Sequence, residues 1–219
     1  MNEIYIHSSS IVIDALQCSD FNRDILLEAQ AGGVTAISAS SVLWENFRGG
    51  IEYVIMWKQK LAENADIAMP VKTLDDIRRA KAAGKVGIIF GWQNTSPVED
   101  RLDYFGIFKD LGVNIMQLTY NTQNLFGAGY LEEKDSGLTG FGREAVDEMG
   151  RCGILIDLSH VGIQTSLDTI AYSEKPVAIT HCLPRGLKDV PRNKPDEVFK
   201  ACAEKGGVIG TSLFAPGLA

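Results

Sequence analysis

The 219-residue sequence has no apolar run near the ~18 residues that a membrane-spanning helix needs. Its start, Met1-Asn2-Glu3-Ile4-Tyr5-Ile6-His7, also lacks the basic and then apolar character of a signal peptide. The expectation is a soluble, cytoplasmic protein with no membrane partner. Cations are in deficit as well. With 21 Lys and Arg against 28 Asp and Glu the net charge is -7, whereas gripping a phosphate backbone takes clustered positive charge. Nucleic acid is therefore not an expected partner. The four cysteines, Cys18, Cys152, Cys182 and Cys202, fit no zinc-finger or redox spacing and read as free thiols. Nor does any strand-like run lead into the Gly-rich phosphate loop that a dinucleotide-binding sheet would carry.

What is present is a rhythm. Short, mostly continuous apolar runs at Ser10 to Asp14, Val34 to Ala39, Val86 to Phe90, Ile115 to Thr119, Ile154 to Leu158, Val177 to Thr180 and Val208 to Ser212 read as strands covered on both faces. Between them lie amphipathic stretches at Asn22 to Ala31, Gly50 to Asn64, Leu74 to Ala83, Arg101 to Leu111, Gly140 to Arg151, Gln164 to Ser173 and Pro195 to Lys205. Thr73 before Leu74-Asp75-Asp76 is a helix-capping signal, and Gly84, Gly112, Gly153 and Gly206 stand where helices must stop. Alternation of this kind predicts an α/β fold, and about seven βα units in one domain spanning 1–219 favour a (β/α)8 TIM-type barrel over an open sheet. Eight strands are required, so either one escapes detection or the barrel is incomplete in this chain. An open barrel with a bare sheet edge would favour self-association into a homo-oligomer.

Two of the three histidines close predicted strands: His160 in Asp157-Leu158-Ser159-His160 and His181 in Ala178-Ile179-Thr180-His181. One helix separates them, so both imidazoles are expected side by side at the carboxyl edge of the sheet, where such folds place their chemistry. They are the candidate metal ligands. Each read alone could equally be a part-buried histidine bonded to a loop carbonyl. His7 reads as a surface residue. Asp157, on the opposite face from Leu158 and His160 if the strand alternates, reads as a structural hydrogen-bonding group. Trp44, Trp57 and Trp92 could line a pocket or pack the core.

Several blocks give these residues a wider context. They are Ser136-Gly137-Leu138-Thr139-Gly140-Phe141-Gly142-Arg143-Glu144, Gly153 to Val161, Thr180-His181-Cys182, Pro191-Arg192-Asn193 and Glu204 to Gly210. In combination, and from about Ile11 onward, the sequence resembles the membrane (renal) dipeptidases, zinc-dependent hydrolases built on an amidohydrolase-like barrel. The resemblance implies two zinc ions sharing a bridging glutamate. One would also be held by a His-x-Asp pair after the first strand, the other by histidines matching His160 and His181. An arginine matching Arg192 would bind the substrate carboxylate.

Much of that centre has no counterpart here. Leu16 and Cys18 stand at the His-x-Asp positions, Gln93 at the bridging glutamate, and Tyr120 at a substrate-facing histidine. The family's aspartate after strand eight falls beyond Ala219. Two dications about 3.5 Å apart need several carboxylates between them, so the expectation is at most one divalent ion, zinc or another, on His160 and His181, with Cys18 as a further candidate ligand. Asp14 and Tyr120 are the candidate catalytic groups, and Arg192, Asn121 and Gln93 the candidate substrate contacts. Asp14 could instead cap its turn, and the cluster of Asn121, Gln123 and Asn124 could instead satisfy loop backbone.

The functional expectation is a metal-dependent hydrolase of a small amide or dipeptide-like molecule carrying a carboxylate. The alternatives are a relative whose metal centre has decayed into a small-molecule binding pocket, and a metal-independent enzyme using Tyr120 or Cys18 as acid or nucleophile.

Overall fold

The computed structural model describes residues 3–213. In chain order the elements are α1 (Glu3–Ser9), β1 (Ile13–Gln17), α2 (Arg23–Ala31), β2 (Ala36–Ala39), α3 (Phe47–Glu63), β3 (Ala68–Val71), α4 (Leu74–Ala83), β4 (Val86–Trp92), α5 (Tyr104–Leu111), β5 (Val113–Gln117), α6 (Gly140–Cys152), β6 (Leu155–Asp157), α7 (Ile163–Tyr172), β7 (Ala178–Cys182), α8 (Asp196–Glu204) and β8 (Val208–Thr211). All eight strands are paired in parallel in one sheet, ordered β1-β2-β4-β5-β6-β7-β8, with β3 attached to β4. The sheet curls into a nearly closed TIM-type barrel with helices outside.

The eighth strand is therefore present, and it is β3. Its sequence, Ala68-Met69-Pro70-Val71, is four residues long and contains a proline. Proline cannot donate to a ladder and is tolerated only where no neighbour needs its N–H. The pairing agrees: β3 joins only β4, along Val86 to Ile89, while β5 takes over that edge from Phe90 onward. The first strand lies three residues later than the sequence pattern indicates: Ser10 to Val12 connect α1 to β1, which carries a register shift between Asp14 and Gln17.

Helix signals translate directly. Thr73 and Asp76 form a reciprocal capping box at the start of α4, and α4, α5 and α6 end at Gly84, Gly112 and Gly153. β4, Val-Gly-Ile-Ile-Phe-Gly-Trp, is buried along its full length. Its outward residues Ile88, Phe90 and Trp92 pack beneath α3 and α5 with Tyr53, Trp57 and Phe108, Trp92 lying 4.4 Å from Phe108 between ring centroids. Two of the three tryptophans are thus core, each burial contributing roughly 3 kcal/mol. On the other face Gly91 leaves room for Ser38, whose hydroxyl would be 2.3 Å from any added Cβ. β8 differs from the other strands: Val208 is 70% exposed, and among the described residues no strand pairs with its outer edge.

Candidate active site

The barrel brings the carboxyl ends of β5, β6 and β7 together, and with them the two sequence-predicted histidines. His160 Nε2 and His181 Nε2 stand 2.9 Å apart. Each ring is fixed from its far side. Asn121 Oδ1 accepts from His160 Nδ1 at 2.6 Å, and Thr180 Oγ1 lies 2.8 Å from His181 Nδ1. The Thr180 hydroxyl hydrogen is committed to Asp157 Oδ2 at 2.7 Å, so Thr180 can only accept from His181. Both imidazoles consequently carry their proton on Nδ1 and turn Nε2 lone pairs toward each other.

Asp157 is the root of this arrangement. Its buried carboxylate accepts from the backbone N–H groups of Ser159 (3.1 Å) and Thr180 (2.9 Å), and from the hydroxyls of Ser159 (2.6 Å) and Thr180 (2.7 Å). The structural reading of this residue is what the geometry shows, with an added consequence for the tautomer of His181. Asn121 is held in the left-handed region at φ 63. It is crowded by Gly129, where an added Cβ would fall 2.2 Å from the Asn121 carbonyl carbon and oxygen, so only glycine lets this loop close over His160.

Burial, followed by the charges of Arg192, the neighbouring His181 and Lys194, pushes His160 far below the ordinary imidazole range. Burial likewise lowers His181, with Asp157 opposing and Arg192 adding to the shift. Both rings are neutral near pH 7, the form that ligates metal. A tetrahedral zinc with ordinary Zn–N bonds separates two ligand nitrogens by about 3.3 Å. The observed pair is a few tenths of an ångström tighter, so small ring rotations suffice to admit one ion, and that half of the centre fits. Among the described residues no group of three His, Cys, Asp or Glu side chains converges on one point, so Cys18 does not join the pair.

The positions matching the first zinc site do not fit a second ion. Gln93 Nε2 donates to Cys18 Sγ at 3.1 Å, and Leu16 offers no ligand atom. Burial raises the Cys18 thiol, a hydrogen bond from Gln93 pulls it back and Asp14 raises it further, the net result being a protonated, uncharged sulfur. Gln93 is also held through its backbone oxygen, which accepts from Gln117 Nε2 at 2.5 Å. Asp14 accepts from Leu16 N at 3.2 Å, which is the turn-capping geometry.

Arg192 lies across the two strand ends, donating from Nη1 to Ser159 O (2.8 Å) and from Nη2 to His181 O (2.7 Å). It braces both histidine-bearing segments. Tyr120 leans over His160 with ring centroids 4.5 Å apart, and Tyr130 approaches the same ring at 5.9 Å. Of the polar loop cluster, Asn121 serves the site, while Asn124 bonds Leu118 O and the Asn94 and Thr95 side chains, the structural role. Sequence reasoning passed over Thr180, Tyr130 and Lys194. Lys194 is fully buried, donating to Val161 O and Ser166 Oγ in the segment that follows His160. Thr180 lies within a matched block and Lys194 beside one, whereas no sequence signal marked Tyr130.

Comparison with known proteins is decisive at this point. The model of the membrane dipeptidase family, peptidase family M19, matches residues 26–218. The chain belongs to the membrane dipeptidase family. Among solved members of this fold, an amidohydrolase from Pseudomonas aeruginosa is 46% identical and superposes with a TM-score of 0.96, covering 99% of this chain and 66% of that one. A metallo peptidase from Rhodobacter sphaeroides, solved with a phosphinate mimic of the dipeptide L-Ala-D-Ala, shares the fold at 22% identity and TM-score 0.67, over 90% of this chain and 52% of its own. An "uncharacterized dipeptidase" of Schizosaccharomyces pombe is 30% identical over 144 residues, 64% of this chain and 35% of that protein. This membrane dipeptidase family chain thus spans about a third of the length of that curated relative. No described helix is long and apolar enough to cross a membrane.

Proposed function

We propose that the chain is a dipeptidase-like hydrolase that cleaves a small amide or dipeptide-like substrate bearing a carboxylate, using a single divalent ion, zinc or a similar metal, at His160 and His181. The observation that carries this reading is the pair of Nε2 atoms facing each other at 2.9 Å, each ring held from its Nδ1 side by an oxygen. Two lone pairs at that separation repel, and an electrophile between them relieves the repulsion. A metal bound there supplies polarisation of a carbonyl oxygen or activation of a water.

The chain's own groups divide the remaining work. Asn121 and the Thr180–Asp157 pair hold the rings in their ligating tautomer. Burial raises the Tyr120 phenol above its ordinary value, with Cys18 and Tyr130 adding to the rise and Arg192 and Asn121 opposing it. Tyr120 is therefore a proton-bearing donor beside His160, suited to an oxygen that gains charge as the amide carbon is attacked. Asp14, raised by burial against the hydrogen bond from Leu16 N, is the candidate proton acceptor. Arg192 keeps a second hydrogen on Nη2 for the substrate carboxylate, and the buried Gln93 amide is a candidate contact for the substrate backbone. The neighbour crystallised with a dipeptide mimic supports a substrate of this size.

The test is hydrolysis of dipeptides by the chain after chelator treatment, with zinc, manganese or cobalt added back. The expected result is turnover restored by one equivalent of metal. Dipeptide binding without metal-dependent turnover would instead favour the reading of a decayed centre, for which the neutral Leu16, Cys18 and Gln93 speak.

Self-association belongs to the same proposal, because β8 presents Val208 at 70% and Ile209 at 37% exposure along an edge that pairs with no other strand among the described residues. Sedimentation velocity on the 219-residue chain should show species above 23.9 kDa, diminished by Val208→Lys. A stable, compact monomer would overturn this part.

A further inference from the structure

Trp44 is 59% exposed, whereas Trp57 and Trp92 are 1% exposed each. An indole on a surface loop is ordinarily free to swing, but this loop is tied down. Glu45 accepts from the backbone N–H groups of Leu43 (2.5 Å) and Trp44 (2.9 Å), and Asn94 donates to Leu43 O at 2.7 Å. The ring meets Tyr120 edge-on at 5.2 Å between centroids, Tyr120 leans on His160 at 4.5 Å, and His160 lies 5.0 Å from His181. Four rings therefore run in unbroken contact from solvent to the buried imidazole pair. Aromatic surface held rigid and left uncovered is low-entropy contact area for an apolar group.

We infer that Trp44 and Tyr120 form a substrate subsite for a neutral aromatic or large apolar side chain, continuous with the histidine pair. The inference rests on the proposed hydrolase reading for the position of the scissile amide, but the subsite itself is a matter of binding. Its preference for an apolar group follows from the rings that form it. Tyr120 lies between the indole and the imidazole pair, and its ring and the Trp44 ring offer apolar faces to a side chain.

Trp44 is the exposed tryptophan, so acrylamide quenching of intrinsic fluorescence reports on this subsite without any turnover. N-acetyl-L-phenylalanine is expected to shield Trp44, and N-acetylglycine is not. In steady-state assays the ratio of kcat/KM for Phe-Ala over Ala-Ala should fall about tenfold in Trp44→Ala and be retained in Trp44→Phe. Shielding without hydrolysis of any dipeptide would leave the subsite standing and remove the hydrolase reading. Hydrolysis with the same Phe-Ala to Ala-Ala ratio in wild type and Trp44→Ala, or equal shielding by the two acetylated probes, would overturn the subsite.

Discussion

His160→Ala is expected to abolish metal-dependent turnover, by about a thousandfold or more, corresponding to at least about 4 kcal/mol of lost transition-state stabilisation. Among the described residues two side chains face the ion's position, so removing one leaves a single imidazole there, which does not retain a catalytic ion. Metal analysis should fall from one equivalent to near zero in step with activity. The variant should stay folded, because His160 sits in the turn that follows β6 and is not part of the hydrophobic core, and circular dichroism checks this. Cys18→Ser sharpens the result. The thiol is protonated and bonded to Gln93, so its removal should leave the stoichiometry at one. A wild-type protein holding two equivalents, or a His160→Ala protein hydrolysing dipeptides at the normal rate, would refute the single-ion account.

The barrel was legible in the sequence wherever burial on both faces forced a continuous apolar run, as in β4 and β7. It was illegible where a different constraint acted. β3 is short, proline-containing and paired on one side, so neither periodicity nor β-propensity marks it. The start of β1 was hidden because Ile11 and Ile13, 48% and 46% exposed, look like strand core while standing beside the open part of the barrel. At the site, the strand-end positions of His160 and His181 were enough to place them together, since parallel strands deliver their last residues to one edge. Their tautomers were not legible. These depend on an Asn121 backbone conformation that Gly129 permits, and on a hydroxyl whose proton direction is set across two strands. The exposure of Trp44 and the orientation of Arg192 toward backbone carbonyls are likewise products of loop packing that no local pattern encodes.

Asp157→Ala is expected to lower stability by about 3 kcal/mol, because four donors on β6, β7 and their following residues lose a buried acceptor at once. For a chain of this length that corresponds to a fall of roughly 10 °C in Tm, measurable by calorimetry. A second effect separates this residue from an ordinary structural carboxylate. Without Asp157 the Thr180 hydroxyl is free to donate to His181 Nδ1, which moves the imidazole proton to Nε2 and covers the lone pair that faces His160. Metal affinity of the folded variant should therefore drop about 10- to 100-fold even at temperatures far below its Tm. Thr180→Val removes the intermediary and should reproduce the affinity loss with a smaller stability cost, since fewer hydrogen bonds to Asp157 are broken. An Asp157→Ala protein that melts with the wild type, or that melts early yet binds metal as tightly, would show that the tautomer of His181 is not set through Thr180.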